Sequence, residues 1–198
     1  NGYIYVTSKI DSFNTGIVVV IDSSINEVIK NIPVGKFLVN VLGGSATLAY
    51  NPSNNYVYVA LNNSISLINS NNEIVKNITL NDIGQPLQME YNPSNSNLYV
   101  NLNNKKIAII NSTTNNVTNI IEHLHAYPTG IAYNPENKDM DLVIQNISHP
   151  QDQLRLLKID PTTNNITTIL KNFEDADLAS AIAYNPDNKN IYMTDIVN

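Results

Sequence analysis

Tyr50-Asn51-Pro52-Ser53-Asn54 is the first of four copies of the phrase Tyr-Asn-Pro-x-Asn. The later copies begin at Tyr91, Tyr133 and Tyr184, so they follow at intervals of 41, 42 and 51 residues. An Asn at the first corner and a Pro at the second suit a type I turn, because Pro presets φ and the Asn side chain can bond the backbone two residues on. The phrase therefore predicts a recurring turn, and its spacing predicts a tandem repeat protein.

Short apolar strands surround each copy of the turn. In the clearest unit they cover residues 46–50, 56–62, 65–69 and 73–80. A period of roughly 40 to 45 residues with about four short strands is typical of a β-propeller blade. The sequence therefore predicts an all-β fold, a β-propeller of four-stranded antiparallel blades. The third strands are rich in Ile, Val and Leu, which predicts burial on both faces.

A single propeller domain or segment is expected over residues 1–198, with partial units at both ends. The predicted units are 1–45 (partial), 46–86, 87–128, 129–179 and 180–198 (partial). About four to five blades are therefore covered. Either the chain closes by pairing its two ends or it belongs to a larger ring, and the surplus last strand favours the larger ring.

Composition narrows the classes of partner. Asn occurs 35 times, and Asn favours turns over helices. Only 14% of residues are charged and the net charge is −6, which argues against binding the phosphate backbone of nucleic acid. There is no Cys, so disulfides and thiolate metal sites are excluded. No apolar run approaches the roughly 20 residues of a membrane span.

Three stretches near the start resemble a known repeat. The stretches 3–8 (YIYVTS), 16–22 (GIVVVID) and 28–35 (VIKNIPVG) look like a YVTN-type β-propeller repeat, and the resemblance extends over essentially the whole chain. Members are commonly seven-bladed and frequent in surface-layer and other cell-surface proteins, where they are associated with adhesion or assembly. The resemblance thus implies an extracellular location and protein or glycan partners. Lactonases and an antibiotic lyase also have similar propeller folds, so the resemblance specifies the activity only weakly.

One end of the predicted blades collects histidines and acidic residues. Loops between second and third strands, and between one blade and the next, share that end in a propeller, which is a usual place for ligands. Imidazoles and carboxylates there suggest a site for a divalent cation such as calcium, although the spacing of these residues does not fix a third ligand. The alternative is solvated loops without a site. The candidates are His123, His125, His149, Asp152, Asp175 and Asp177.

Asn-x-Ser/Thr sequons predict possible glycosylation. Random order of 35 Asn and 27 Ser plus Thr would give roughly five, so the number observed barely exceeds composition. Two of them, Asn116 and Asn165, open a fourth strand from an exposed turn and are the better candidates. The six sequons are Asn62, Asn77, Asn111, Asn116, Asn146 and Asn165.

Aromatic residues recur at fixed places in each unit, which favours packing between blades over sugar stacking. Tyr58, Tyr99 and Tyr192 hold one place in the second strand, where the fourth unit has Asp141. That unit also has a longer loop, 148–153, and its divergence indicates either a specialised loop or sequence drift.

The resulting functional hypothesis is a non-enzymatic, cell-surface or secreted scaffold for protein or glycan contact. Outermost strands expose backbone edges, so self-assembly by edge addition is a predicted partner mode. The alternative is a propeller enzyme of the lactonase or lyase kind that uses a divalent cation on the acidic, His-bearing face. No serine nucleophile motif is present.

Overall fold

A computed structural model describes residues 2–38, 47–145, 154–171 and 179–195. Within these ranges the chain forms 17 β-strands and no helix, so no described helix is long or apolar enough to span a bilayer. All strand pairs with a described register are antiparallel. The predicted all-β class and the turn-linked strands thus agree with the structure.

The strands form five sheets in which chain neighbours pair with each other. The first sheet contains β1 (Tyr3–Lys9), β2 (Thr15–Asp22) and β3 (Glu27–Lys36). The second contains β4 (Leu48–Asn51), β5 (Tyr56–Ala60), β6 (Ser64–Ile68) and β7 (Ile74–Thr79). The third contains β8 (Pro86–Asn92), β9 (Asn97–Leu102), β10 (Lys106–Asn111) and β11 (Asn116–Ile121). The fourth contains β12 (Tyr127–Tyr133), β13 (Met140–Gln145), β14 (Leu154–Ile159) and β15 (Ile166–Lys171). The fifth contains β16 (Ala179–Asn185) and β17 (Asn190–Asp195).

Two asparagines build each Asn-Pro turn. In the first copy the Asn51 Oδ1 accepts a hydrogen bond from the Ser53 amide at 2.8 Å, and the Asn54 Oδ1 accepts one from the Tyr56 amide at 3.0 Å. The same pair of bonds recurs in the other three copies. Each turn then ends on a residue with φ near +60°, a left-handed conformation that completes the reversal. These residues are Asn55, Ser96, Lys138 and Lys189.

The turns between third and fourth strands use the same chemistry. Asn69 Oδ1 accepts from the Asn71 amide at 3.0 Å, and Asp160 Oδ1 accepts from the Thr162 amide at 2.8 Å. The left-handed residue that closes each of these turns is always Asn, a residue that tolerates positive φ well. These asparagines are Asn26, Asn72, Asn115 and Asn164. The Asn-rich composition is therefore a direct consequence of the number of hairpins.

Contacts divide the chain into two compact units, Asn1–Met89 and Glu90–Asn198. In the first unit, one face of the first sheet packs on the second sheet through a core that includes Val18, Val20, Val57 and Val59. In the second unit, β9 and β10 pack on β12, β13 and β14 around Tyr99, and β13 and β14 pack on β16 and β17. The third strands β6 and β10 are buried at nearly every position, as predicted.

The repeated tyrosines do not share one environment. Tyr58 and Tyr99 are completely buried, which confirms the predicted packing role in the second strand. The prediction is wrong for Tyr50, which is 43% exposed. Its hydroxyl donates to the Asn55 Oδ1 at 2.7 Å, so the ring bridges its own turn. Tyr192, in the two-stranded fifth sheet, is also 52% exposed.

Candidate functional site

His123 and His125 lie in the loop between β11 and β12, and both are exposed. The His123 side chain is 93% exposed and its Nε2 is 4.0 Å from the Glu122 Oε2. The Glu122 carboxylate is already bound by the Lys106 ammonium at 2.6 Å, and this hydrogen bond and charge hold the pKa of Glu122 below its usual value. The two histidines are therefore available to solvent rather than built into a cluster.

Four of the six predicted cation ligands fall in parts of the chain outside the described ranges. They are His149, Asp152, Asp175 and Asp177. Within the described ranges, no group of three or more His, Asp or Glu side chains is arranged to hold a metal ion. The cation site therefore stays a prediction.

The described sequons differ in their exposure to solvent. Asn116 and Asn165 are exposed at the start of β11 and just before β15. Asn77 is exposed but its Oδ1 accepts from the Ser66 hydroxyl. Asn62 and Asn111 are half-buried, and their Oδ1 atoms accept hydrogen bonds from Gln85 and from the Thr113 and Thr114 amides, respectively. Asn146 lies outside the described residues, so glycosylation remains a prediction, with Asn116 and Asn165 best placed for it.

A cavity of about 390 Å³ opens within the second unit. It lies where the first strands β8, β12 and β16 approach their Asn-Pro turns, and we refer to it as the Glu90 pocket. Its walls are aliphatic and aromatic, and the one charged lining residue is Glu90. The lining residues are Glu90, Ile131, Ala132, Tyr133, Pro135, Ile182, Ala183, Tyr184 and Pro186.

Glu90 is half-buried on β8. No hydrogen bond or ion pair joins its carboxylate to any residue in the described parts of the chain. Burial alone raises the pKa of Glu90 to about 7, because a desolvated carboxylate without a counter-charge favours its neutral form. The group therefore carries a substantial fraction of each protonation state at neutral pH.

Sequence comparison between the repeats could have identified Glu90. It immediately precedes the Tyr of its Tyr-Asn-Pro phrase, and the other three copies have Ala49, Ala132 and Ala183 there. Two of those alanines line the same pocket. The small side chains of Ala132 and Ala183 leave space between the strands, and the longer, acidic side chain of Glu90 lines that same space. This exception to the repeat is a stronger signal than the acidic loops that drew attention in the sequence.

Gly130 brings two walls of the pocket together. A methyl group at this position would lie 2.9 Å from the Ile182 Cγ2 and 3.4 Å from the Ile182 backbone nitrogen. The missing side chain therefore lets β12 approach β16 closely, which sets Tyr133 and Tyr184 on neighbouring strands of one cavity. Burial, and after it the negative charge of Glu136, raises the pKa of Tyr184.

Asp141, the divergent residue of the fourth unit, is almost completely buried at 1% exposure. Its Oδ2 accepts a hydrogen bond from the Asn134 Nδ2 at 3.0 Å, while its Oδ1 has no partner among the described residues. Burial raises the pKa of Asp141, and the nearby negative charge of Asp139 adds to the effect. Asp139 in turn is paired with the Lys158 ammonium at 2.9 Å. The replacement of Tyr by Asp thus produces a buried polar cluster beside the Asn134 turn.

The predicted and observed sites lie at opposite ends of β12. His125 precedes the first residue of this strand, Tyr127, whereas the Glu90 pocket surrounds its last residue, Tyr133. A strand of this length spans about 20 Å. The two histidines therefore take no part in the pocket.

Comparisons by sequence and by structure differ in outcome. No protein-family model and no curated protein matches the chain. Among solved structures, Kuenenia stuttgartiensis hydrazine synthase matches with a TM-score of 0.73 and 16% identity over 92% of this chain and 52% of that one. Dihydro-heme d1 dehydrogenase NirN, in complex with DHE, matches with a TM-score of 0.60 and 13% identity over 87% of this chain and 37% of that one.

The chain thus spans about half of the first of these proteins and less of the second. Both are β-propeller proteins. These structural matches do not confirm the resemblance to the YVTN-type repeat family. No family model supports it either, so it stays a prediction. At sequence identities of 16% and 13%, a structural match shows the fold and not the function. Together with the four-stranded antiparallel sheets, it shows that this chain has the β-propeller fold.

Proposed function

We propose that this chain is a non-enzymatic β-propeller scaffold at the cell surface that contacts protein or glycan partners. One observation carries the proposal: outermost strands expose adjacent aliphatic side chains, on β3, β7 and β15. Each of these side chains is between 39% and 59% exposed. They are Val28, Ile29, Ile74, Val75, Ile169 and Leu170.

A repeated exposed aliphatic pair is costly to keep in water. Single exposed apolar residues are ordinary on a protein surface, but an exposed aliphatic residue at the same bulge position of three of the four outer strands is typical of contact surfaces. Only 14% of the residues are charged and Asn is abundant, so much of the polar surface is uncharged. These features favour a partner that covers the outer strands.

Bulges on the outer strands restrict how a partner can bind. The register shifts between third and fourth strands in all four sheets that have both, and the outer strand carries the extra residue. Ile29, Val75 and Ile169 are three of these bulge residues. A bulge twists an edge strand and interrupts its free hydrogen-bonding groups, which discourages continuous edge-to-edge pairing. Contact through side chains is therefore favoured over the predicted edge addition.

A further blade is part of the same proposal. Ile4 and Val6 on β1 hold the repeat positions of Val57 and Val59 on β5. The two valines are 2% and 0% exposed because the first sheet covers them, whereas Ile4 and Val6 are 49% and 43% exposed. The open face of the first sheet thus has the composition of a face that packs against a neighbour. This supports membership in a larger propeller.

The scaffold proposal is tested by self-association. Replacing both Val75 and Ile169 with lysine removes two exposed aliphatic side chains from outer strands. We expect wild-type protein to associate with increasing concentration in light scattering, and the double variant to associate at least about tenfold more weakly. Thr118→Lys is the matched control, because Thr118 is the exposed bulge residue of β11 and is polar. A wild-type protein that stays monomeric and is not retained on cell envelopes would refute the proposal.

A lactonase or lyase is the alternative function, and Glu90 favours it. A carboxyl group with a pKa of about 7 is suited to general acid or base catalysis at neutral pH. In this alternative, the divalent cation predicted near His123 and His125 would bind at the other end of β12 from Glu90. We expect turnover of a lactone to be lost in Glu90→Gln and retained in Glu136→Gln. An absence of turnover with every lactone tested counts against an enzyme.

A further inference from the structure

We infer that the Glu90 pocket binds an alkylammonium group, either a free primary amine or the side chain of a lysine residue. The inference concerns the ends of the first strands and does not depend on the outer-strand contacts proposed above. It rests on the charge, the walls and the size of the cavity.

The charge of the Glu90 pocket favours a cationic ligand. Glu90 is the one charged group among the residues that line the pocket, and its carboxylate has no bonded partner in the described parts of the chain. A monovalent organic cation neutralises such a group when both are removed from water. An anionic ligand would meet Glu90 and a net charge of −6.

The walls of the pocket favour a ligand with an apolar chain. Ile131, Ile182 and two alanines present aliphatic surface, and Tyr133 and Tyr184 supply aromatic rings. Methylene groups gain free energy on burial, and an ammonium group also gains from lying over an aromatic face. A cavity of about 390 Å³ also lies within the range of small-molecule sites, which begins near 300 Å³.

Other ligands fit the lining less well. Calcium takes six to eight oxygen ligands, and the pocket offers one carboxylate. A sugar requires several convergent hydrogen-bonding groups, while most of the lining here is aliphatic. The alkylammonium ion matches both features, since it has one charged end and one apolar end.

Binding is expected to depend on pH because the ammonium pairs with ionised Glu90. The other titratable residues that line the pocket are Tyr133 and Tyr184. Beside the two lining prolines, Glu136 and Lys189 form an ion pair at 2.9 Å. With the Glu90 pKa at about 7, the apparent affinity should be about thirtyfold weaker at about pH 5.5 than at about pH 8.

The experiment is a titration with hexylammonium, followed by NMR signals of the Ala132 and Ala183 methyl groups. We expect saturable binding at about pH 8, the thirtyfold loss at about pH 5.5, and reduction to the level of neutral hexanol in Glu90→Gln. Glu90→Ala should behave like Glu90→Gln. Because it restores the alanine that the other units have at this position, it is a second variant in which the fold is expected to be kept. Glu122→Gln is the matched control and should bind like wild type, because Glu122 is exposed and lies beyond the end of β12 that is away from the pocket.

Two outcomes would overturn the inference. One is hexanol or hexanoate binding as tightly as hexylammonium, and the other is unchanged hexylammonium binding in Glu90→Gln. A parallel titration with N-acetyl-lysine methylamide identifies the source of the group. Binding of both amines supports a lysine side chain as ligand, and binding of hexylammonium alone supports a free amine.

Discussion

Replacing Tyr99 with alanine is expected to lower the free energy of unfolding by about 3 to 5 kcal/mol. Tyr99 is completely buried on β9, within the core that also contains Ile107 and Met140. Its hydroxyl accepts a hydrogen bond from the Asn95 Nδ2 at 3.0 Å, so the truncation leaves a cavity and removes one of the two hydrogen bonds that this Nδ2 donates, the other being to the Pro161 carbonyl at 3.2 Å. Urea unfolding followed by circular dichroism measures the loss.

Tyr50→Ala provides the control within the same repeat. This tyrosine is 43% exposed and bonds only across its own turn, to Asn55. Its removal should cost about 1 kcal/mol or less. Equal losses for Tyr50 and Tyr99 would contradict the packing of sheets around the second-strand tyrosine, and with it the fold described for the second unit.

Replacing Glu90 with glutamine is expected to stabilise the protein at neutral and higher pH. The folded-state pKa is about 7, above the ordinary value of 4.5, so the folded state binds a proton more tightly than the unfolded state does. Wild-type stability due to Glu90 is therefore highest below pH 4.5, falls as the pH rises from 4.5 to 7, and is constant above that. The full loss corresponds to about 3 kcal/mol.

The measurement is urea unfolding of both proteins at several pH values. The advantage of Glu90→Gln over wild type should grow by about 3 kcal/mol between about pH 4 and pH 8. Taking the difference between the two proteins removes the contributions of other buried acids, such as Asp141. Glu136→Gln should not show this growth, because Glu136 is exposed. A constant difference across the pH range would show that Glu90 is not desolvated.

Much of the fold could be read from the residues because the hairpins are local. Asn51 and Asn54 organise their turn through bonds that reach only two residues along the chain, so a short phrase specifies it. The exposed position of Tyr50 could not be read in this way. It depends on whether the ring packs between sheets or lies over its own turn, and the repeat pattern is the same in both cases.

The candidate site shows the same contrast. The sequence directed attention to His123 and His125, which the structure leaves exposed in one loop. Glu90 carries no local motif, and its chemistry arises because Ile131, Ile182 and two tyrosines from distant parts of the chain surround it. A pKa shift caused by desolvation depends on these long-range neighbours and has no counterpart in local spacing.

By itself, the sequence determined the repeat, its strand order and its turns, because hydrogen bonds between near neighbours and alternating apolar residues depend on local order. Only the tertiary structure decided which tyrosines are buried, which edge carries the bulges and where a carboxylate lies without a partner. Those properties result from the packing of one sheet on the next, which brings together residues that are tens of positions apart and sets how much water each of them retains.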